Sequence, residues 1–123
     1  MIVSGTVISE GTLVSILSST AWKALGLPSL MPVINTFSGF NKGTSRPLGI
    51  LLKLPINLRR KTVHLNMMVV QGPLDYNLLL GRDYVYNMEA IISMLFRVMC
   101  FPHEGKIVTI DQLSFPISSI APS

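Results

Sequence analysis

The chain has 123 residues, enough for one folded domain, because chains commonly divide into several domains only beyond about 100–150 residues. Hydrophobic residues make up 49% of the chain and charged residues 13%, which excludes the disordered class, where low hydrophobicity accompanies high net charge. So short a chain has a high ratio of surface to volume. We therefore expect part of its apolar surface to be buried against a partner in an oligomer.

The net charge is +4 and the isoelectric point is about 9.6, values that raise the question of nucleic-acid binding. The basic residues are scattered, and their one cluster, Arg59-Arg60-Lys61, lies between two apolar runs. A solvated hairpin turn is the preferred interpretation of this cluster, so we do not expect nucleic acid as a partner.

Cysteine and histidine usage gives no indication of a cofactor. The single cysteine, Cys100, excludes an internal disulfide and every motif built on cysteine pairs, and it favours a reducing, intracellular compartment. His64 and His103 have no neighbours at metal-ligand spacing. The most apolar segment, residues 90–101, is too short to span a bilayer and contains Arg97. We expect a soluble protein with no metal, no other cofactor and no membrane association.

Frequent glycines and prolines separate short runs of Val, Ile, Leu and Met, which predicts short strands joined by turns and an all-β domain. Residues 2–8 form the opening strand, residues 9–12 a polar turn and residues 13–17 a second strand. Ser18-Ser19-Thr20 then supplies hydroxyls that can cap a short helix, which Gly26 and Pro28 bring to an end.

The middle of the chain predicts further hairpins. A strand over residues 32–37 leads into a polar, glycine-bearing excursion over residues 38–46, and residues 48–54 form the returning strand. Residues 55–58 and 63–70 are predicted to pair around the basic turn. The second of these strands is predicted to place Leu65, Met67 and Val69 on one face. His64, Asn66 and Met68 would lie on the other face.

The last third of the chain predicts a buried strand over residues 76–81, a helix beginning at residue 84, and a closing hairpin. Asp83 is interpreted as the cap of that helix. The hairpin joins residues 94–101 and 106–110 through a turn that carries His103. Residues 1–115 are predicted to form the domain and residues 116–123 a tail or linker.

The order of these features resembles the retropepsin fold: a strand, a turn ending in glycine, a strand and helix, a glycine-bearing hairpin, and a Leu-Leu-Gly strand before a second helix. Residues 14–27, residues 78–85 and the ending over residues 95–115 are similar to the aspartic protease segment of plant gypsy-type LTR retrotransposon polyproteins. The resemblance spans about residues 6–115. It implies a mainly β, retropepsin-like acid protease half-barrel with two short helices.

The resemblance further implies a homodimeric aspartic endopeptidase that hydrolyses extended peptides or polyproteins. Each chain of such a dimer contributes one aspartate, within Asp-Ser/Thr-Gly, to a pair that shares one proton. In this sequence the motif falls on Ser9-Glu10-Gly11, and Ser9 stands where the catalytic aspartate is expected. A serine hydroxyl cannot act as a general base near neutral pH. The resemblance therefore predicts a chain that has lost peptidase activity.

Other positions of the family pattern are retained. Gly11 is expected to keep the turn tight. Phe40, Asn41, Lys42 and Gly43 would belong to a flap that folds over a bound peptide, and Leu79, Leu80 and Gly81 would form the wall behind the active loop. Arg82 either braces the dimer by pairing with an acid or is exposed.

The alternatives to an inactive protease domain differ in class. The fold could serve as a non-catalytic module for peptide binding or dimerisation. Activity could be retained through Glu10 or through a partner chain with an intact motif. Glu10 is disfavoured, because side chains at successive positions of an extended turn point to opposite sides. Two facing Glu10 carboxylates would also repel each other in a dimer. A nucleic-acid module is supported by charge alone.

Overall fold

The computed structural model describes residues 5–33, 46–93, 95–96, 98–111 and 119–120. These residues form a mainly β structure with two short helices, as predicted. The elements are β1 (Thr6–Ile8), β2 (Ser15–Ser18), α1 (Ser19–Ala24), β3 (Arg46–Leu58), β4 (Lys61–Gln71), β5 (Leu78–Leu80), α2 (Arg82–Met88), β6 (Ile91–Ser93), β7 (Val98–His103), β8 (Lys106–Asp111) and β9 (Ser119–Ile120).

The larger sheet has six strands in the order β1-β5-β2-β4-β3-β9. Strand β5 lies between β1, to which it is parallel, and β2, to which it is antiparallel. Since Ile8 pairs with Leu80 at the end of both strands, residues 9–14 must cross the end of β5 to reach β2. This crossing places the β1–β2 loop directly against Gly81.

The β3–β4 hairpin is longer than predicted. Residues 46–58 form one strand, where the sequence suggested a break before Pro55. A register shift between Leu51 and Leu54 leaves Leu52 and Lys53 exposed. Proline is tolerated in strands at edges and irregularities of this kind, because no ladder hydrogen bond is required there. The predicted turn at Arg59-Arg60 is confirmed.

The two helices begin in different ways. The Ser18 hydroxyl accepts the Ala21 N–H at 3.1 Å and Gly26 follows the helix at φ 91°, so the predicted capping of α1 is confirmed. Helix α2 begins at Arg82, two residues earlier than predicted, with Gly81 at the N-cap and no side-chain cap. Asp83 is therefore not the N-cap residue, but it lies in the first turn, where its Oδ1 accepts the Tyr84 N–H at 2.8 Å. Backbone carbonyls of the β1–β2 loop accept the first N–H groups of the helix instead.

One hydrophobic core joins both sheets to α2. It includes fully buried residues from β2, β4, β5, α2 and β7, among them Leu17, Met67, Leu80, Tyr84 and Phe101. A smaller cluster on the other face of the large sheet contains Ile16, Met68, Val70 and Leu79, with Leu74 and Tyr76 packed against it. Met68 therefore lies on the face of β4 opposite Leu65, Met67 and Val69, as predicted, and it is buried there.

The second sheet has the order β6-β7-β8. Its short edge strand β6 was not predicted, and His103 ends β7 next to a two-residue turn, Glu104-Gly105.

Strand β9 lies within the predicted tail and pairs with β3 at Ile56 and Asn57. Residues 34–37 of the strand predicted over residues 32–37, and residues 38–45 of the excursion predicted over residues 38–46, lie outside the described residues. Residues 32 and 33 are described and are not in a strand. Neither described helix is long and apolar enough to cross a membrane.

Candidate active site

The β1–β2 loop holds Ser9 through two short hydrogen bonds. The Ser9 N–H donates to the Leu80 carbonyl at 2.9 Å, which anchors the loop on β5. The Ser9 Oγ accepts the Gly11 N–H at 3.1 Å. The hydroxyl of this half-buried residue is thereby fixed inside the turn, and its own proton remains available to donate.

Glu10 lies on a different surface. Its exposed side chain lines a cleft of about 410 Å³ against α2. The other residues lining this cleft are Arg82, Val85, Tyr86, Glu89 and Ala90. Ser9 does not line the cleft, as expected from the alternation of side chains along an extended turn. The structure therefore does not bring the Glu10 carboxylate into the position of the Ser9 hydroxyl.

Arg82 braces the loop within its own chain. Its Nε donates to the Glu10 carbonyl at 2.8 Å, and its backbone N–H donates to the Thr12 carbonyl at 2.8 Å. The guanidinium is exposed but bonded to backbone, so the two interpretations from sequence, an acid-paired brace and a free arginine, both missed this contact.

A side chain would clash with the backbone at Gly81 but not at Gly11. A Cβ at Gly81 would lie 2.6 Å from the Val14 carbonyl oxygen and 2.9 Å from that of Thr12. A Cβ at Gly11 would meet only the Ser9 Oγ, at an ordinary 3.4 Å, and the Gly11 φ is outside the left-handed region. Gly11 lies within the turn, as expected, but its geometry there does not require a glycine. Gly81 instead permits the loop to lie directly on the chain that follows β5.

Ser15 and Asp83 fasten the far end of the loop. The Ser15 Oγ donates to Asp83 Oδ1 at 2.6 Å and accepts the Gly81 N–H at 3.0 Å. The second oxygen, Asp83 Oδ2, accepts the Ser15 N–H at 3.2 Å. Ser15 is fully buried, so its hydroxyl cannot reach a substrate. This pair supports the loop.

Leu79 and Leu80 form the wall behind the loop, with their side chains on opposite faces of β5. Leu80 enters the main core, and Leu79 enters the smaller cluster beside Ile16. Tyr76 packs on that smaller cluster. Burial, and to a lesser extent the neighbouring Asp75 carboxylate, raises the pKa of Tyr76 above its ordinary value of 10.0.

Two grooves adjoin the loop at Val14, and sequence reasoning did not find them. The first, of about 250 Å³, is mainly apolar, and Met31, Ile50, Leu52, Asn66 and Met68 line it together with Val14. The second, of about 500 Å³, is more polar, and its lining is Val14, Lys53, His64, Leu65, Asn66, Asp83 and Asn87. The alternation of polar and apolar residues along β4 was the only sequence signal for either groove.

The predicted flap residues Phe40, Asn41, Lys42 and Gly43 lie outside the described residues. Within the described part of the chain, no three His, Cys, Asp or Glu side chains are grouped as metal ligands.

Comparison with known proteins finds similar solved structures. No protein-family model matches the chain, and no curated protein matches it. A crystal structure of the retroviral protease-like domain of Ddi1 from Leishmania major superposes with a TM-score of 0.66, over 94% of this chain and 97% of that one. The chain has a retropepsin-like fold. The two sequences are only 15% identical, so the similarity establishes the fold alone.

In this retropepsin-like fold, the turn that carries Ser9, Glu10 and Gly11 is held by β5, by Arg82 and by the Ser15–Asp83 pair. The sequence located the turn and the Leu-Leu-Gly strand. It did not indicate that Asp83 and Arg82 support the turn, because those contacts join residues far apart in the chain.

Proposed function

We propose that this chain is the retropepsin-like domain of a plant gypsy-type LTR retrotransposon polyprotein, that it forms a homodimer, and that it does not hydrolyse peptide bonds. The observation that carries the proposal is the bond from the Gly11 N–H to the Ser9 Oγ at 3.1 Å. It supports the proposal because the hydroxyl that it holds belongs to the residue at which the sequence resemblance expects a carboxylate.

The loss of activity follows from acid–base chemistry. Peptide hydrolysis by an aspartate pair requires one ionised carboxylate that takes a proton from water and one protonated carboxyl that donates a proton. In a symmetric dimer both carboxylates would be replaced by Ser9 hydroxyls, which remain neutral near pH 7. Glu10 does not substitute for them, because its side chain lines the cleft against α2.

The outer face of the β6-β7-β8 sheet supports the proposed homodimer. Ile91 on the edge strand is 76% exposed and Ile107 on β8 is 69% exposed. Leu95 and Phe96, which follow β6, are 85% and 74% exposed. Apolar surface concentrated in this way marks an interaction site. A second copy of the chain, packed on this face, would remove these side chains from water.

The decisive experiment is a peptide-library cleavage assay at mildly acidic pH on the wild-type chain, Ser9→Asp and Ser9→Asn. We expect cleavage only by Ser9→Asp, and we expect an aspartic-protease inhibitor to abolish it. Ser9→Asn is the matched control, because asparagine has the size of aspartate but cannot ionise. Cleavage by the wild-type chain would show that the inactive assignment is wrong. A dimeric Ser9→Asp chain that does not cleave would contradict the attribution of the loss to one residue.

A second candidate function is peptide binding without cleavage, favoured by the apolar groove beside Val14. Met31 and Leu52 line this groove and are 47% and 42% exposed, so an apolar side chain of an extended peptide could be buried there. We expect Leu52→Lys to weaken peptide binding and Leu27→Lys, which changes an exposed leucine outside the groove, to leave it unchanged. Absence of binding to every peptide of a library would eliminate this function.

A further inference from the structure

The two grooves beside the β1–β2 loop adjoin each other. Val14 and Asn66 line both the apolar groove of about 250 Å³ and the more polar groove of about 500 Å³. Because the two linings share these residues, neighbouring parts of one ligand can enter both grooves at once.

The irregularity in β3 supplies one side chain to each groove. The register of β3 against β4 shifts so that two residues, Leu52 and Lys53, lie opposite the single residue Asn66. The backbone of Lys53 is left-handed, with φ 53°, and the Asn66 Oδ1 accepts the Lys53 N–H at 3.0 Å. Leu52 lines the apolar groove and Lys53 lines the polar groove. Bulges of this kind re-aim side chains beside functional sites.

The apolar groove suits an aliphatic side chain. Met31 and Leu52 in its lining are 47% and 42% exposed, and an apolar side chain of a ligand would remove part of this surface from water. None of the described residues that line the groove is aromatic, so they offer no platform on which a nucleic-acid base could stack. This half of the site therefore favours a peptide as the ligand.

The polar groove presents hydrogen-bond donors and a cation. The exposed Lys53 ammonium has no hydrogen-bond or ion-pair partner in the described part of the chain. The Asn66 oxygen is occupied by the Lys53 N–H, so the amide N–H groups of Asn66 remain to donate. His64, which is also exposed, adds a ring N–H to the same lining. These groups suit a ligand atom that carries negative charge.

The carboxylate of Asp83, in the same lining, is already engaged. Its Oδ1 accepts the Ser15 hydroxyl at 2.6 Å and the Tyr84 N–H at 2.8 Å, and its Oδ2 accepts the Ser15 N–H at 3.2 Å. A cationic side chain in this groove would face the Lys53 ammonium without an unoccupied carboxylate to offset it. An acidic side chain is therefore the favoured occupant of the polar groove.

We propose that Leu52, Lys53 and Asn66, here called the bulge site, bind an extended peptide in which an apolar residue and an acidic residue are separated by one position. Side chains on one face of an extended chain repeat every second residue, about 7 Å apart, so one peptide can place a side chain in each of two adjoining grooves. The proposal rests on the second candidate function, peptide binding without cleavage, and adds the chemistry of the peptide to it.

The test begins with an array of octapeptides in which two positions, separated by one alanine, are varied through all pairs of residues between flanks of alanine and serine. Binding of the fluorescently labelled wild-type chain is measured on the array. We expect the strongest signals where one varied residue is Leu, Ile, Met or Val and the other is Asp or Glu.

The best peptide and its amide counterpart, with Asn for Asp or Gln for Glu, are then titrated by anisotropy. We expect Lys53→Gln to raise Kd about fivefold for the acidic peptide and to leave Kd for the amide peptide within about twofold, because only the acidic peptide loses an ion pair. Leu52→Ala should raise Kd for both peptides by a similar factor, about fivefold, because the apolar contact is common to both.

The matched control is Lys23→Gln, which removes an exposed lysine of α1 that lines neither groove and should leave both Kd values unchanged. Binding without preference for the apolar and acidic pair overturns the proposal but not the peptide-binding function. The same holds if Lys53→Gln weakens both peptides equally, or if Lys23→Gln has the same effect as Lys53→Gln. Absence of binding to every peptide of the array eliminates the peptide-binding function, and this proposal with it.

Discussion

The Ser15 hydroxyl donates to the Asp83 carboxylate at 2.6 Å across 68 positions of sequence. The bond ties the start of β2 to the first turn of α2. Since the same hydroxyl accepts the Gly81 N–H, three backbone segments converge behind the loop that carries Ser9. The position of Ser9 is thus set in part by a buried serine and the carboxylate that it binds.

Asp83→Asn should lower the free energy of unfolding by about 2 kcal/mol, because an amide nitrogen replaces one oxygen that accepts a hydrogen bond and leaves a donor of Ser15 or Tyr84 unpaired. Urea denaturation monitored by circular dichroism measures the change. Asp75→Asn, at an exposed position, is the control and should alter stability by less than about 0.5 kcal/mol. Equal effects of the two substitutions would contradict the supporting role of Asp83.

Gly81→Ala should destabilise the fold by about 2 kcal/mol or more, because its Cβ would lie 2.6 Å from a backbone oxygen that cannot move without displacing the loop. Gly11→Ala should change stability by less than about 0.5 kcal/mol, since its Cβ would lie at an ordinary 3.4 Å from Ser9 Oγ. Denaturant titration of the two variants in parallel tests the contrast. The reverse ranking would show that the loop approaches α2 less closely than described.

Tyr84 should make stability depend on alkaline pH. Burial raises the pKa of Tyr84 above its ordinary value of 10.0, and its hydroxyl is buried with no hydrogen-bond partner among the described residues. The folded state therefore retains a proton that the unfolded state loses. The contribution of neutral Tyr84 is fully present below pH 10 and is lost as the pH rises above that value.

Tyr84→Phe should remove this alkaline loss and leave stability at neutral pH unchanged or slightly higher, because an unpaired buried hydroxyl is eliminated. Unfolding free energies measured by urea at several pH values from about 8 to 11 test the slope. Tyr86→Phe is the control, since Tyr86 is 84% exposed and its loss should preserve the wild-type slope. An unchanged slope in Tyr84→Phe would refute the assignment.

Lys61→Met should destabilise the chain by about 2 kcal/mol. The ammonium satisfies the carbonyls of Met88 and Pro102 and lies 5.6 Å from the centre of the Phe101 ring, and hydrogen bonds to charged groups contribute about 1.5–3 kcal/mol. Lys106→Met, on the neighbouring hairpin, removes the same charge from an exposed position. Thermal unfolding should separate the two variants clearly, and similar midpoints would argue against the bridging role of Lys61.

Ile91→Lys and Phe96→Lys should each weaken the proposed homodimer at least tenfold, because burying an unpaired ammonium in an apolar interface is strongly unfavourable. Sedimentation velocity over a range of protein concentrations measures the dissociation constant. Leu27→Lys alters a residue that is 56% exposed on another part of the surface. This substitution should leave the dissociation constant of the dimer unchanged. A wild-type chain that stays monomeric at high concentration would refute the proposed homodimer.

Prediction from sequence succeeded where the signal was local. Helix α1 was recognised because the Ser18 hydroxyl caps it three residues away and Gly26 ends it. The basic turn was recognised because apolar runs flank it on both sides. Prediction failed where distant residues take part. Strands β6 and β9 are only three and two residues long, too short to be distinguished from loops without the partners that pair with them.

The start of α2 also shows the difference between local sequence signals and contacts with distant residues. Asp83 was predicted as the cap, but carbonyls of Thr12 and Leu13 accept the first two helix N–H groups. The Asp83 carboxylate accepts the Tyr84 N–H and also holds Ser15. Pro55 likewise indicated a break that does not occur, because pairing with His64 and the irregularity before it carry the strand through.

The sequence by itself determined the mainly β class, the position of the turn at Ser9 and the absence of a carboxylate at that residue, because these depend on residue type and short-range pattern. Only the tertiary structure decided that Gly81 must lack a side chain, that Arg82 binds the Glu10 carbonyl and that Lys61 binds the carbonyls of Met88 and Pro102. The first two of these contacts exist because β5 lies between β1 and β2. That strand order brings segments together that no local pattern relates.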